Sequence, residues 1–219
     1  MWCIQKITPE YRTRMYDILN LYEQPYDPKR PVLGMDEKSK QFIEDSRPPI
    51  PATPGKTMKQ DYEYVRKGTA NIFMAVEPKG GKRFVLVTAQ RTKPDFAFFM
   101  KNLVDVHYPD AIMIRVVLDN LNTHFESSFF ESMNEKEARR ILLKLEFHYV
   151  PKHASWLNVA ETEIGIMDTQ CTGRRIKDKE LLTCEVNAWM KRRNKQRRKI
   201  EWTFTKQKAD GKLGKYYVT

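Results

Sequence analysis

Val116-Val117-Leu118-Asp119-Asn120-Leu121-Asn122-Thr123-His124 is an apolar run that delivers a carboxylate and then breaks into polar residues. Ile112 to Leu118 is apolar almost throughout apart from Arg115, as expected of a strand covered on both faces. An acid at the exit of such a strand lies where a mixed α/β sheet usually places its chemistry. Two other segments share this look: Pro31-Val32-Leu33-Gly34-Met35-Asp36-Glu37-Lys38, and Ser155-Trp156-Leu157-Asn158-Val159-Ala160-Glu161.

Working outward, Val32 to Met35 reads as a first strand leading to Asp36. Ala70 to Val76 and Arg83 to Thr88 read as two strands joined through Gly80-Gly81, an antiparallel hairpin. Thr92-Lys93-Pro94-Asp95 fits a capping box that opens a helix with Phe96, Phe99, Met100, Leu103 and Val104 on one face. A capped helix begins at Asn134, Phe147 to Val150 is a short strand, and a helix starting near Asn158 carries Glu161, Ile164 and Met167. A last helix carries Leu181, Leu182, Val186 and Trp189. Before all of these, Thr8-Pro9-Glu10 starts an amphipathic helix that Pro25 ends. The prolines of Ser46 to Gly55 forbid helix or central strand and favour an extended surface segment, either a stiff loop or one lying along a partner. The order predicts a mixed sheet with helices packed on it.

At 219 residues, with 41% hydrophobic content, the chain can bury a full core. Its formal net charge of +11 favours an anionic partner, nucleic acid first and a membrane surface second. No uninterrupted apolar stretch is long enough to span a bilayer and no signal peptide is evident, so the expectation is a cytoplasmic protein without a membrane. The three cysteines, Cys3, Cys171 and Cys184, are far apart and suit reduced thiols, with no spacing typical of structural zinc.

Asp36, Asp119 and Glu161 together make a hard, oxygen-rich donor set suited to Mg²⁺ or Mn²⁺. Two such ions about 4 Å apart can promote in-line displacement at a phosphodiester. That chemistry joins the acids to the basic surface, which would hold a polyanionic substrate. Each acid also has an ordinary reading. Asp119 could end a solvent-exposed turn, Asp36 could pair with Lys38, and Glu161 could close a capping box with Asn158. Glu163, two residues further on, is a weaker candidate for the third acid. His124 and His153 suit hydrogen bonding at the rim of a site, and Trp156 suits either packing at the helix start or stacking on a base.

The three acid segments, with Asp119-Asn120-Leu121-Asn122-Thr123-His124 and Pro151-Lys152-His153-Ala154 among them, closely resemble bacterial insertion-sequence transposases of the mariner superfamily, the insertion-sequence-630 group. The resemblance runs from Trp2 to the C-terminus. It implies an α/β, ribonuclease-H-like mixed five-stranded sheet flanked by helices, and a DDE triad made of Asp36, Asp119 and Glu161 that holds two Mg²⁺ or Mn²⁺ ions. The implied activity is hydrolysis of donor DNA at transposon ends and strand transfer of the freed 3′ hydroxyl into target DNA, with no covalent enzyme intermediate. Transposases of this group carry N-terminal helix-turn-helix modules, whereas here only one short helix precedes the first strand. The expectation is therefore a catalytic domain alone, bacterial and nucleoid-associated, with double-stranded DNA as partner, a possible homodimer on DNA, and a separate helix-turn-helix portion supplying end recognition. Alternatives are a catalytically idle DNA-binding remnant that regulates a full-length transposase, or a structure-specific two-metal nuclease.

Lys191 to Lys199 holds seven cations in nine positions, a density that attracts phosphates. Backbone contacts to DNA are expected from Lys152, His153, Arg174, Arg175, Arg192, Arg193, Arg197 and Arg198. Three segments are expected: residues 1–30 as an N-terminal helix and linker, 31–190 as the catalytic domain, and 191–219 as a basic tail.

Overall fold

The computed structural model describes residues 6–218, so Trp2 and Cys3 lie outside the described residues. Five strands, β1 (Val32–Asp45), β2 (Tyr64–Glu77), β3 (Lys82–Thr88), β4 (Ile114–Leu118) and β5 (Leu145–Tyr149), form one sheet in the order β3-β2-β1-β4-β5. The first three run antiparallel as a meander, while β4 pairs parallel to both β1 and β5. Helices α1 (Pro9–Glu23), α2 (Lys93–Asn102), α3 (Ser127–Ser132), α4 (Glu135–Leu142), α5 (Val159–Met167), α6 (Lys179–Lys195) and α7 (Lys206–Leu213) flank it. This is the ribonuclease-H-like arrangement expected. Among the described residues no helix is long and apolar enough to cross a membrane.

Strand alternation divides the core between two faces. Ile72, Met74, Val76 and Val117 point to the side covered by α1, α5, α6 and α7, where they meet Ile18, Tyr22, Ile164, Trp189 and Ala209. Leu33, Met35, Phe73, Val116 and Leu118 point to the side covered by α2, α3 and α4, against Phe96, Phe99, Phe129 and Ile141. Sequence caps set the helix starts: Thr8 accepts from Tyr11, and Thr92 and Asp95 form a full capping box.

Two regions depart from expectation. Asp36 does not end its strand, because β1 runs on to Asp45 and pairs with the first residues of β2 as a ribbon, with a register shift between Gln41 and Ile43. The ribbon's residues are mostly polar and only part-buried, so they lack the apolar alternation that marks a core strand. The proline segment lies at its tip, where Ile50 bridges Lys59. Nor do residues 191–219 form a free tail. Lys191 to Lys195 complete α6, and Ile200, Trp202, Phe204, Leu213 and Tyr217 pack against the core. Residue 217 bridges Ile7, and Tyr22 lies 4.8 Å from Trp202, so the first and last described segments join one core.

The turn after α2 is locked to α4 by charge. Arg140 donates two hydrogen bonds of 2.8 Å to Asp105 and others to Glu137, while Lys101 pairs with both acids. Hydrogen bonds from Arg140 hold Asp105 and Glu137 down at about 2, below their ordinary values of 3.8 and 4.5. Because the folded values lie below the unfolded ones, the stabilisation is complete above pH ~4.5 and is lost as pH falls towards ~2. Urea midpoints measured across that range should fall with pH, and Arg140→Ala should flatten this acid limb.

Candidate active site

Register brings the two aspartates together. Gly34 of β1 pairs with Val117 of parallel β4, and Asp36 and Asp119 each lie two residues further along in the same direction. They therefore lie near one another just past the last β1–β4 pair, where the charge of Asp119 acts on Asp36. Two steps of alternation from Gly34 also place Asp36 on the face that α5 covers.

The start of α5 is fixed against the same strand. Asn158 accepts from the Ala160 amide as N-cap and donates its side-chain N–H to the Met35 carbonyl at 2.7 Å. A Cβ on Gly34 would lie 2.5 Å from Val159 Cγ2 and 2.8 Å from Asn158 Oδ1, so only glycine permits this approach. Glu161, in the first turn, is thereby held at the sheet end that carries Asp36. It does not serve as the capping-box partner considered from sequence, because the Asn158 amide donates to Ser155 O at 2.7 Å. Its side chain is exposed.

Each aspartate engages one carboxylate oxygen. Asp36 Oδ1 accepts from the Glu37 amide at 2.8 Å, and Asp119 Oδ1 accepts from the Leu121 amide at 3.1 Å and from His124 Nδ1 at 2.7 Å. Among the described residues neither Oδ2 has a hydrogen-bond partner. Burial, followed by the negative charges of Asp119, Glu37 and Glu161, pushes Asp36 up to about 7, although the Glu37 amide acts in the opposite direction. Burial also pushes Asp119 upward, but the hydrogen bond and charge of His124 outweigh it and leave Asp119 lowered. His124 is itself raised to about 9, because its bonds to Asp119 and Glu37 overcome burial, so both ring N–H groups donate at neutral pH. Sequence reasoning put His124 at the rim, whereas it is fully buried and lies 4.8 Å from Phe96.

Acids whose negative charge raises the proton affinity of Asp36, with uncommitted oxygens and no nitrogen or sulfur donor needed, suit a hard divalent cation. Among the described residues no three His, Cys, Asp or Glu side chains converge to ligating distance. The donor chemistry fits Mg²⁺ or Mn²⁺, and the arrangement is a set of positioned carboxylates rather than a preformed cage.

Glu163 is excluded as the third acid. It is fully buried, accepts two 3.0 Å bonds from Arg83, and accepts two more from Arg193 at 2.9 and 2.7 Å. Arg193 is therefore corrected as a DNA contact, since its guanidinium is buried against Glu163. Arg175 is also engaged, binding Asp45 at 2.5 Å, the Asp61 carbonyl at 2.8 Å, and the Tyr64 ring at 5.5 Å. It fastens the outer end of the ribbon, where Asp45 pairs with Tyr64. Arg174 pairs with Glu185 at 2.7 Å on the surface. Lys152, His153, Arg192, Arg197 and Arg198 are exposed, with His153 and Arg197 at positive φ of 61° and 45°. Trp156 packs edge-on against Phe204 at 5.3 Å.

These two neighbouring glutamates should separate cleanly by stability. Glu163→Gln leaves two arginines without their counter-charge and should cost about 3–5 kcal/mol in urea unfolding. Glu161→Gln, an exposed change, should shift it by no more than about 0.5 kcal/mol. Equal losses would show Glu161 to be structural.

The family described as DDE superfamily endonuclease matches residues 31–183, a span that includes Asp36, Asp119 and Glu161. Among solved structures, the fold is similar to the mariner Mos1 paired end complex with Mg, at 13% identity and a TM-score of 0.51, covering 100% of this chain and 66% of that one. It is also similar to a pre-cleavage Mos1 transpososome, at 13% identity and a TM-score of 0.49, covering 86% of this chain and 60% of that one. The chain thus spans about 60% of the length of the latter protein. No match was found among curated proteins. With well over half of its residues inside the family match, and the sheet, the helix crossing and the paired aspartates all within that span, the chain belongs to the DDE superfamily endonucleases.

Proposed function

We propose that this chain is the catalytic domain of a DNA transposase, which hydrolyses phosphodiester bonds at transposon ends and transfers the 3′ hydroxyl so formed into target DNA. The observation that carries the reading is the register of β1 with β4. It sets Asp36 beside Asp119, each with one oxygen unshared, at the sheet end where α5 presents Glu161. In this reading residues 31–190 hold the chemistry, and double-stranded DNA is the substrate. Asp36 and Asp119 would hold one metal ion and Glu161 would help to hold a second. When bound, two Mg²⁺ or Mn²⁺ ions supply Lewis acidity to both the attacking and the leaving oxygen of an in-line displacement.

The chain's own side chains do the rest. Burial and the neighbouring acids push Asp36 up to about 7, so a cation held there would compete with a proton for its carboxylate. Asp119 stays ionised because His124 stabilises its charge. Exposed cations at Arg192, Arg197, Arg198 and Lys152 grip backbone phosphates without reading sequence. Joining two transposon ends calls for two copies on DNA, with a helix-turn-helix portion aiming them at a particular sequence.

The test is nicking of supercoiled plasmid in Mn²⁺ and Mg²⁺. Asp36→Asn and Asp119→Asn should each reduce nicking by at least about 100-fold with DNA affinity nearly unchanged. Nicking that survives both substitutions would overturn the reading. In fluorescence anisotropy, neutralising Arg192, Arg197 and Arg198 should lower the slope of log affinity against log salt by about 0.9 for each phosphate that is no longer neutralised.

A further inference from the structure

Glu37 has no assigned role, yet with His124 it forms a buried connection between the two aspartates. Glu37 follows Asp36 and so points to the opposite face of the sheet, where its side chain is 2% exposed. Its Oε1 accepts from His124 Nε2 at 2.6 Å, and His124 Nδ1 donates to Asp119 Oδ1 at 2.7 Å. Every polar atom of His124 is engaged. Its amide donates to Leu121 O at 2.9 Å, and its carbonyl accepts from the Tyr149 hydroxyl at 2.8 Å. Phe96 packs on the ring.

The position of this connection matters. Regular pairing of β1 with β4 stops at Gly34 and Val117, so neither aspartate is held by the backbone ladder between these two strands. Asp119 lies past the last residue of β4, in a polar loop, with 47% of its side chain exposed. A free aspartate there would sample several rotamers, since an exposed carboxylate meets little steric resistance about χ1. His124 removes that freedom by holding Oδ1 inward, which leaves Oδ2 as the atom facing outward.

We propose that His124, braced by Glu37, is a positioning residue that fixes the Asp119 carboxylate in the orientation needed to hold a divalent cation beside Asp36. The inference rests on the reading of Asp119 as a metal-holding acid. Buried partners that orient a ligating carboxylate typically account for about 10–100-fold in metal affinity. The strut reaches no substrate and takes no part in the displacement itself.

The experiment has three readouts on the same variants, and the first needs neither metal nor activity. In a crystal structure of His124→Ala, the Asp119 carboxylate should occupy more than one rotamer; a single rotamer identical to that of the native chain would overturn the proposal. Mn²⁺ binding followed by electron paramagnetic resonance should weaken by about 10–100-fold in His124→Ala, whereas unchanged affinity would overturn the proposal. Plasmid nicking should lose kcat with KM for DNA unchanged, while a rise in KM alone would mark a DNA contact instead. Glu37→Gln keeps a side-chain oxygen able to accept from Nε2, so it should retain most of the affinity that Glu37→Ala loses. Unchanged affinity in Glu37→Ala would remove Glu37 from the strut. Should His124→Ala fail to fold, His124→Asn, which retains a donor near the Nδ1 position, carries the same rotamer and Mn²⁺ readings against Glu37→Ala. If the native chain binds Mn²⁺ through Asp119 but nicks no DNA, the transposase reading fails while the rotamer and affinity measurements still decide the role of His124.

Discussion

Asn158 is the joint on which the site depends. Its side chain caps α5 and donates to Met35 O, so one amide determines both where the helix begins and how far it sits from β1. The close approach leaves no space for a side chain at position 34, and glycine there is what allows Val159 to reach the strand. Moving this joint by half an ångström would carry Glu161 away from the aspartates and open a gap over Val117 and Ile164, which share the same packed face. Close-packed interiors do not absorb such shifts without opening voids.

Around this joint the acids are sorted by environment rather than by type. Glu161 and Glu163 lie two positions apart on one helix and have opposite circumstances. One faces solvent near other carboxylates, and the other is sealed between Arg83 and Arg193. The buried cluster also joins α5 to α6 and, through the Arg198 carbonyl, to the segment beyond it. Helix α5 is thus held at its start by a neutral amide and along its length by an ion triad, with Glu161 exposed between them.

Much of this was legible in the sequence wherever a local rule applied. Thr92 with Asp95, the Gly80-Gly81 turn and the Asn158 cap each announce themselves within a few residues, and strand β4 is apolar enough to be read directly. The ribbon beyond Asp36 was not legible, since polar strands that pair only with each other carry no alternation. The burial of Arg193 was hidden for a different reason. Seven cations in nine positions look uniformly solvated until a helix turns one of them inward, and its partner Glu163 lies 30 positions earlier. His124 and Glu37, separated by 87 positions, could be linked only by the fold. Composition suggests an anionic partner, but which cations face outward depends on tertiary packing.

The meander β3-β2-β1 closes through neighbouring segments, whereas β4 joins β1, and β5 joins β4, only after long excursions of the chain. Parallel pairings across such separations carry a larger loop-closure entropy and are expected to form late. Asp36 belongs to the part that assembles early and Asp119 to the part that assembles late, so the acid pair exists only once the sheet is complete. Nascent or partly unfolded chains would therefore carry the full positive charge before they carry the paired carboxylates, and the acid pair becomes a property of the finished fold alone.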